Sequence, residues 1–139
     1  MDANFLLGHL VRSWILSWGF ERHEEAVAAA ERAVELSRGH WIPVAHCGAV
    51  LARAGRRAEA ETILSDLIER ARSSYVDPVF FLALHLSLGE LDRAFEQAQK
   101  ACEQRDGFRW VAAAWYWAEA LSAHPRYREL LPRGWVPRP

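Results

Sequence analysis

At 139 residues the chain has the length of one ordinary domain and can bury a core without disulfides or a structural metal. Hydrophobic residues make up 51% of it and charged residues 25%, a globular balance in which the longest apolar runs fall well short of a membrane span. Seventeen Lys and Arg against eighteen Asp and Glu give a formal net charge of -1, which argues against the phosphate-binding surface that dominates nucleic-acid affinity.

The N-terminal stretch MDANFLLGHLVRSWIL carries Asp2, has no basic n-region and offers no small-residue cleavage site, so it reads as structure rather than as a signal peptide. The expected location is the cytoplasm. Strand signals are nearly absent, and hydrophobic periodicity predicts an all-α chain with helices at about 5 to 18, 23 to 38, 42 to 54, 57 to 73, 77 to 88, 91 to 105, 109 to 122 and 125 to 131. Asp77 followed by Pro78 supplies an N-cap and a first helical residue, and Pro43 fits the same place after HWI. Gly39 and Gly107 close the helices before them. Cys47 and Cys102 sit inside apolar helical patterns and read as reduced core thiols.

A repeat underlies these elements. Ala26, Ala60 and Ala94 stand 34 residues apart, followed by the rows Ala30, Leu64, Ala98 and Ala33, Leu67, Ala101. Gly55 and Gly89 share the spacing, each five residues before its Ala. Leu91, Ala94, Phe95, Ala98, Ala101 and Cys102 fall on one stripe of a helix, as do Ala60, Ile63, Leu64, Leu67, Ile68 and Ala71. The recurrent Ala lets two helices approach closely, and the Gly takes the left-handed turn between them. Each unit is therefore helix, tight turn, helix.

A unit of this length, with small residues at its eighth, twentieth and twenty-seventh positions and Gly before its second helix, resembles the tetratricopeptide repeat. Counted from Trp41, the second unit has Gly48, Leu51, Gly55, Ala60 and Leu67 at the family's positions; counted from Tyr75, the third keeps Gly89, Ala94 and Ala101 but has Leu82 where a small residue is usual. The first keeps Ala26, Ala30 and Ala33, with a turn, WGFERHEEA, about two residues longer than the pattern. The segment from Tyr75 to Asp106, followed by HPRYRELL, is similar to the close of repeat arrays attached to bacterial cyclases, kinases and winged-helix regulators. The resemblance implies a right-handed α-solenoid over residues 1–139, with repeats at about 5–39, 41–74 and 75–107, a capping helix pair at 108–133 and a tail at 134–139.

The same resemblance implies a concave groove. Its candidate residues are Ile42, Ala45, Ala49, Ala52 and Arg53 in the second unit and Val76, Val79, Ala83, Leu86 and Ser87 in the third, an apolar surface with one base. It lacks the Lys, Asn and Arg set by which chaperone-binding members hold a C-terminal carboxylate. An apolar groove suits an amphipathic partner helix. The segment DGFRWVAAAWYWAEAL, with Trp110, Trp117 and Leu121 on one face and Trp115 and Tyr116 elsewhere, is either a C-terminal cap or an aromatic interface for a partner or a second copy. Trp14 and Trp18, one turn apart on the first helix, are either core or a face for another chain.

Catalytic signatures are missing: there is no His-Glu-x-x-His, Cys-x-x-Cys, Gly-x-Ser-x-Gly or phosphate-binding Gly-Lys-Ser/Thr loop, and His85 reads as a core or groove histidine. The expectation is a non-enzymatic protein-interaction scaffold with no cofactor or metal, no nucleic-acid or membrane partner, and a protein or peptide in its groove. Two alternatives stay open: homodimeric coupling within a signalling protein, and small-molecule sensing at the Trp-rich C-terminal end.

Overall fold

The apolar stripes and turn residues fold as helices throughout the parts of the chain that the computed structural model describes, residues 3–104, 117 and 119–130. α1 spans Ala3–Trp14 and runs into a π-helical turn, Ile15–Gly19. Then come α2 (His23–Leu36), α3 (Trp41–Arg53), α4 (Arg57–Ala71), α5 (Pro78–Ser87) and α6 (Leu91–Glu103). Residues 119–122 are helical again, and Tyr127–Leu130 form a short 3₁₀ turn where a helix over 125–131 is expected. There is no strand among the described residues, and no helix among them is long and apolar enough to cross a membrane. Most of the helix expected at 109 to 122, and Gly107 before it, lie outside the described residues.

Helix starts follow local chemistry. The Asp77 carboxylate accepts from the Val79 N–H at 3.0 Å, and Pro78 occupies the first helical position, where its missing N–H costs nothing. At α3 the expectation is corrected: His40 is the cap, its Nδ1 accepting from the Ile42 N–H at 3.4 Å, and Pro43 is the third residue of the helix. That place is tolerated because the first four N–H groups of a helix have no partner within it.

The 34-residue period reappears in the backbone. The residues before α2, α4 and α6 share one conformation: Arg22 at φ -86°, ψ 71°, Arg56 at -86°, 62°, and Glu90 at -92°, 71°. Each is preceded by a left-handed residue, Glu21 (φ 54°), Gly55 (85°) and Gly89 (77°). Four residues after each, the N–H groups of Ala26, Ala60 and Ala94 donate to the carbonyls of Arg22, Arg56 and Glu90 at 3.0, 3.2 and 3.0 Å. The longer first turn is absorbed by the π-helical turn, in which the Phe20 N–H reaches back to the Ile15 carbonyl at 3.2 Å.

Packing follows from these registers. α1 packs on α2, α3 on α4 and α5 on α6; α3 also packs on α2, and α5 on α3, while α1 meets α3 over a smaller contact. Ala26, Ala60 and Ala94 are completely covered, at 0% exposure, as the close approach of paired helices requires. Gly48 marks the tightest point: a Cβ there would lie 2.8 Å from Ile63 Cγ2 and 2.9 Å from Leu84 Cδ2. Leu82, its counterpart one period later, is instead a buried core side chain.

Because Glu21 holds a conformation that costs a non-glycine residue roughly 1 kcal/mol, Glu21→Gly is expected to stabilise the fold by about that amount. Gly55→Ala and Gly89→Ala are expected to destabilise it by a similar amount. Urea midpoints at unchanged slope measure this, and three variants with the wild-type midpoint would contradict the shared turn geometry.

Candidate functional site

Residues of α1, α3 and α5 line a cleft of about 380 Å³ beside the small contact between α1 and α3. Leu10, Val11 and Trp14 of α1 form one wall, joined by Ile15; Ala45 and His46 come from α3, and Val79, Phe80 and Ala83 from α5. Trp117 closes the cleft from the C-terminal part of the chain, its ring edge-on to Trp14 with centroids 5.6 Å apart. The spacing explains the lining. Leu10 and Trp14, like Val79 and Ala83, are one turn apart and share a helix face, while Ala45 leaves room in α3.

Two buried serines tie α1 and its π-helical turn to α3. Ser13 and Ser17 are both completely covered. Ser13 Oγ donates to the Leu10 carbonyl at 2.8 Å and lies 2.6 Å from His46 Nε2. Ser17 receives Arg53: Nε donates to its Oγ and Nη2 to its carbonyl, each at 3.2 Å, with the guanidinium 3.8 Å from the centre of the Trp18 ring. Burial pulls the Arg53 guanidinium below its ordinary value, and Glu21 pushes it back.

His46 is the polar residue of the cleft lining among the described residues. Burial pushes its pKa down from 6.5 to about 4, so the ring is neutral near pH 7. Trp14 lies against it, centroids 5.1 Å apart. The buried His85 is also pulled down by desolvation, against Glu90, whose Oε2 is 3.5 Å from its Nδ1. Cys47 is buried and Cys102 partly so; burial raises both thiols to about 11, with Glu31 and Glu59 adding at Cys47 and Glu103 at Cys102, and both are free. Neither is an activated nucleophile. Among the described residues no group of three or more His, Cys, Asp and Glu side chains converges as a metal site would require.

Of the groove residues expected from sequence, Ala45, Val79 and Ala83 line the cleft. Ala49 and Val76 are buried in the core, because the faces they occupy are covered by neighbouring helices. Ala52 and Leu86 are partly buried against the same core, Ile42 is exposed and does not line the cleft, and the Ser87 hydroxyl is buried without a hydrogen-bond partner among the described residues. Arg53 is not a free base in a groove, since Ser17 and Trp18 hold it. Trp14 and Trp18 pack inside the chain, on each other and on His46, Trp117 and Arg53. Trp115 and Tyr116 lie outside the described residues.

The sequence offers the first helix as a face for another chain through Trp14 and Trp18, but His46, Phe80 and the outer face of α1 are not among the candidate residues read from it. On that face Leu7, Val11 and Ile15, at successive turns, are 59%, 49% and 41% exposed. Their four-residue spacing in LGHLVRSWI was the available signal. No protein-family model matches the chain, and no curated protein or solved structure matches it.

A neutral His46 links stability to pH. Its folded pKa of about 4 lies below the ordinary 6.5, so as pH falls the unfolded chain takes up the proton first. The contribution is complete above pH 6.5 and is lost as pH falls from there towards 4. The expected loss from this residue between neutrality and pH ~5 is about 2 kcal/mol. His46→Phe should reduce the acid sensitivity of urea unfolding by that amount, and an unchanged sensitivity would contradict a buried neutral ring.

Proposed function

We propose that the chain is a non-enzymatic, cytoplasmic protein-interaction module, a right-handed solenoid of tetratricopeptide-like repeats that receives a helical segment of a partner protein. The observation that carries this reading is the outer face of α1. Leu7, Val11 and Ile15 form an exposed apolar stripe, and Val11 and Ile15 belong both to the cleft and to an open depression with Leu7, Gly8, Arg12 and Leu16. Stripe and cleft make one continuous apolar surface. A patch of this kind marks an interaction site more often than chance, and an amphipathic helix laid along it would bury side chains at every turn.

The shared backbone conformation of the three turns and the covered Ala26, Ala60 and Ala94 support the repeat reading, because regular stacking needs both. A second reading is self-association of the same face, as in a coupling domain of a signalling protein. Gly8 favours it: among the described residues, and apart from its chain neighbours and its own helix backbone, no atom lies within 4 Å of where its Cβ would be, so a second helix could approach α1 closely there.

The double substitution Leu7→Glu, Val11→Glu should leave thermal unfolding within about 1 kcal/mol of wild type, since both side chains are exposed. It should abolish partner capture in pull-downs at micromolar concentration. Light scattering over a dilution series separates the readings: a mass that rises with concentration, and stays monomeric in the variant, supports self-association. A wild-type chain that captures nothing and stays monomeric would overturn both.

A further inference from the structure

The hydrogen bonding beneath the cleft determines what it can bind. Ser13 Oγ has a single hydrogen, and the Leu10 carbonyl, which can only accept, holds it at 2.8 Å. The 2.6 Å contact between Ser13 Oγ and His46 Nε2 therefore requires the imidazole hydrogen on Nε2. Nδ1 is left as a bare acceptor. Ser13 is the hydrogen-bond partner of His46 among the described residues, and the His46 side chain belongs to the cleft lining. The rest of the lining is aromatic and aliphatic, with Trp14, Phe80 and Trp117 as its rings. Arg53 is held on Ser17 and Trp18 and does not line the cleft.

We infer that the cleft binds a neutral aromatic ring carrying one N–H or O–H donor, an indole or a phenol, with the ring against Trp14 and Phe80 and the donor on His46 Nδ1. This rests on the reading of the cleft as a binding site and adds the chemistry of its occupant. A volume of about 380 Å³ holds a bicyclic ring with its substituent, and falls within the usual range of roughly 300–1,000 Å³ for ligand pockets. Among the described residues the lining offers no base to an anion and no carboxylate to a cation, so a charged group there would be desolvated without compensation from them. A purely aliphatic occupant would cover Nδ1 and leave it without a donor. The ring can arrive as a free small molecule or as a Trp or Tyr side chain of a partner segment.

The test uses the full chain and two probes of matched shape, 3-methylindole and 3-methylbenzothiophene, which differ in the N–H donor. Calorimetric titration should show 3-methylindole binding about ten-fold more tightly, the usual effect of one hydrogen bond to an otherwise unpaired buried acceptor. His46→Phe should still bind both but lose the preference, and it leaves the Ser13 bond to the Leu10 carbonyl intact. Equal affinities for the two probes in the wild-type chain, or no saturable binding of either, would overturn the inference even if the variant failed to fold. A third arm assigns the source. An amphipathic helical peptide with a single Trp that binds more tightly than 3-methylindole, and more tightly than its Phe counterpart, places the ring on a protein partner. A peptide no tighter than the free ring supports a small-molecule ligand and removes the protein-partner reading, while the indole preference stands.

Discussion

The close approach of the two helices in each pair is the constraint on which the rest of this structure depends. It is set at two places in each unit. A left-handed residue turns the chain, and five residues later an alanine with no exposed surface lets the second helix settle against the first. A larger side chain at Ala26, Ala60 or Ala94 would force the backbones apart, and everything positioned by α3 and α5 would move with them. Gly48 carries the same requirement between α3, α4 and α5, where less than 3 Å separates a hypothetical Cβ from Ile63 and Leu84.

The cleft is a consequence of where that regularity breaks. α5 packs broadly on α3, whereas α1 makes a smaller contact with α3 and is held to it by polar ties from buried serines. Small hydroxyl side chains at Ser13 and Ser17 allow the approach and take up groups that would otherwise be costly to bury, an imidazole on one turn and a guanidinium on the next. The arrangement does two things together. It satisfies Nε2 of His46 and the Arg53 guanidinium, and it leaves Nδ1 as a polar atom among aromatic walls. Removing charge from the interior while retaining one directional acceptor is how an apolar site gains selectivity without a large desolvation penalty.

Much of the fold was legible in the sequence because the signals were local and repeated. The periods of Ala and Gly, the Asp77 and Pro78 cap and the apolar stripes each report on a few neighbouring residues, and α1 to α6 follow them closely. The site was less legible, for physical reasons. α1 carries two apolar faces, one with Leu10 and Trp14 and one with Leu7, Val11 and Ile15, and periodicity identifies both without ranking which is covered. Arg53 near a helix end has the pattern of a solvent-facing base, and only the partner 36 residues away shows otherwise. His46 had no partner within its own helix to reveal it, since its contact with Ser13 spans 33 residues. The groove positions Ala49 and Val76 were carried over from a regular array, and the packing of this chain covers them.

That a neutral His46 presents Nδ1 to the cleft can be read from the ring itself. Long-range proton–nitrogen correlation spectra of uniformly labelled protein distinguish the two imidazole nitrogens. The expected spectrum has a pyrrole-like Nε2, a pyridine-like Nδ1 and no protonation of the ring between neutrality and pH ~5. The opposite tautomer, or a ring that takes up its proton near pH 6.5, would contradict it.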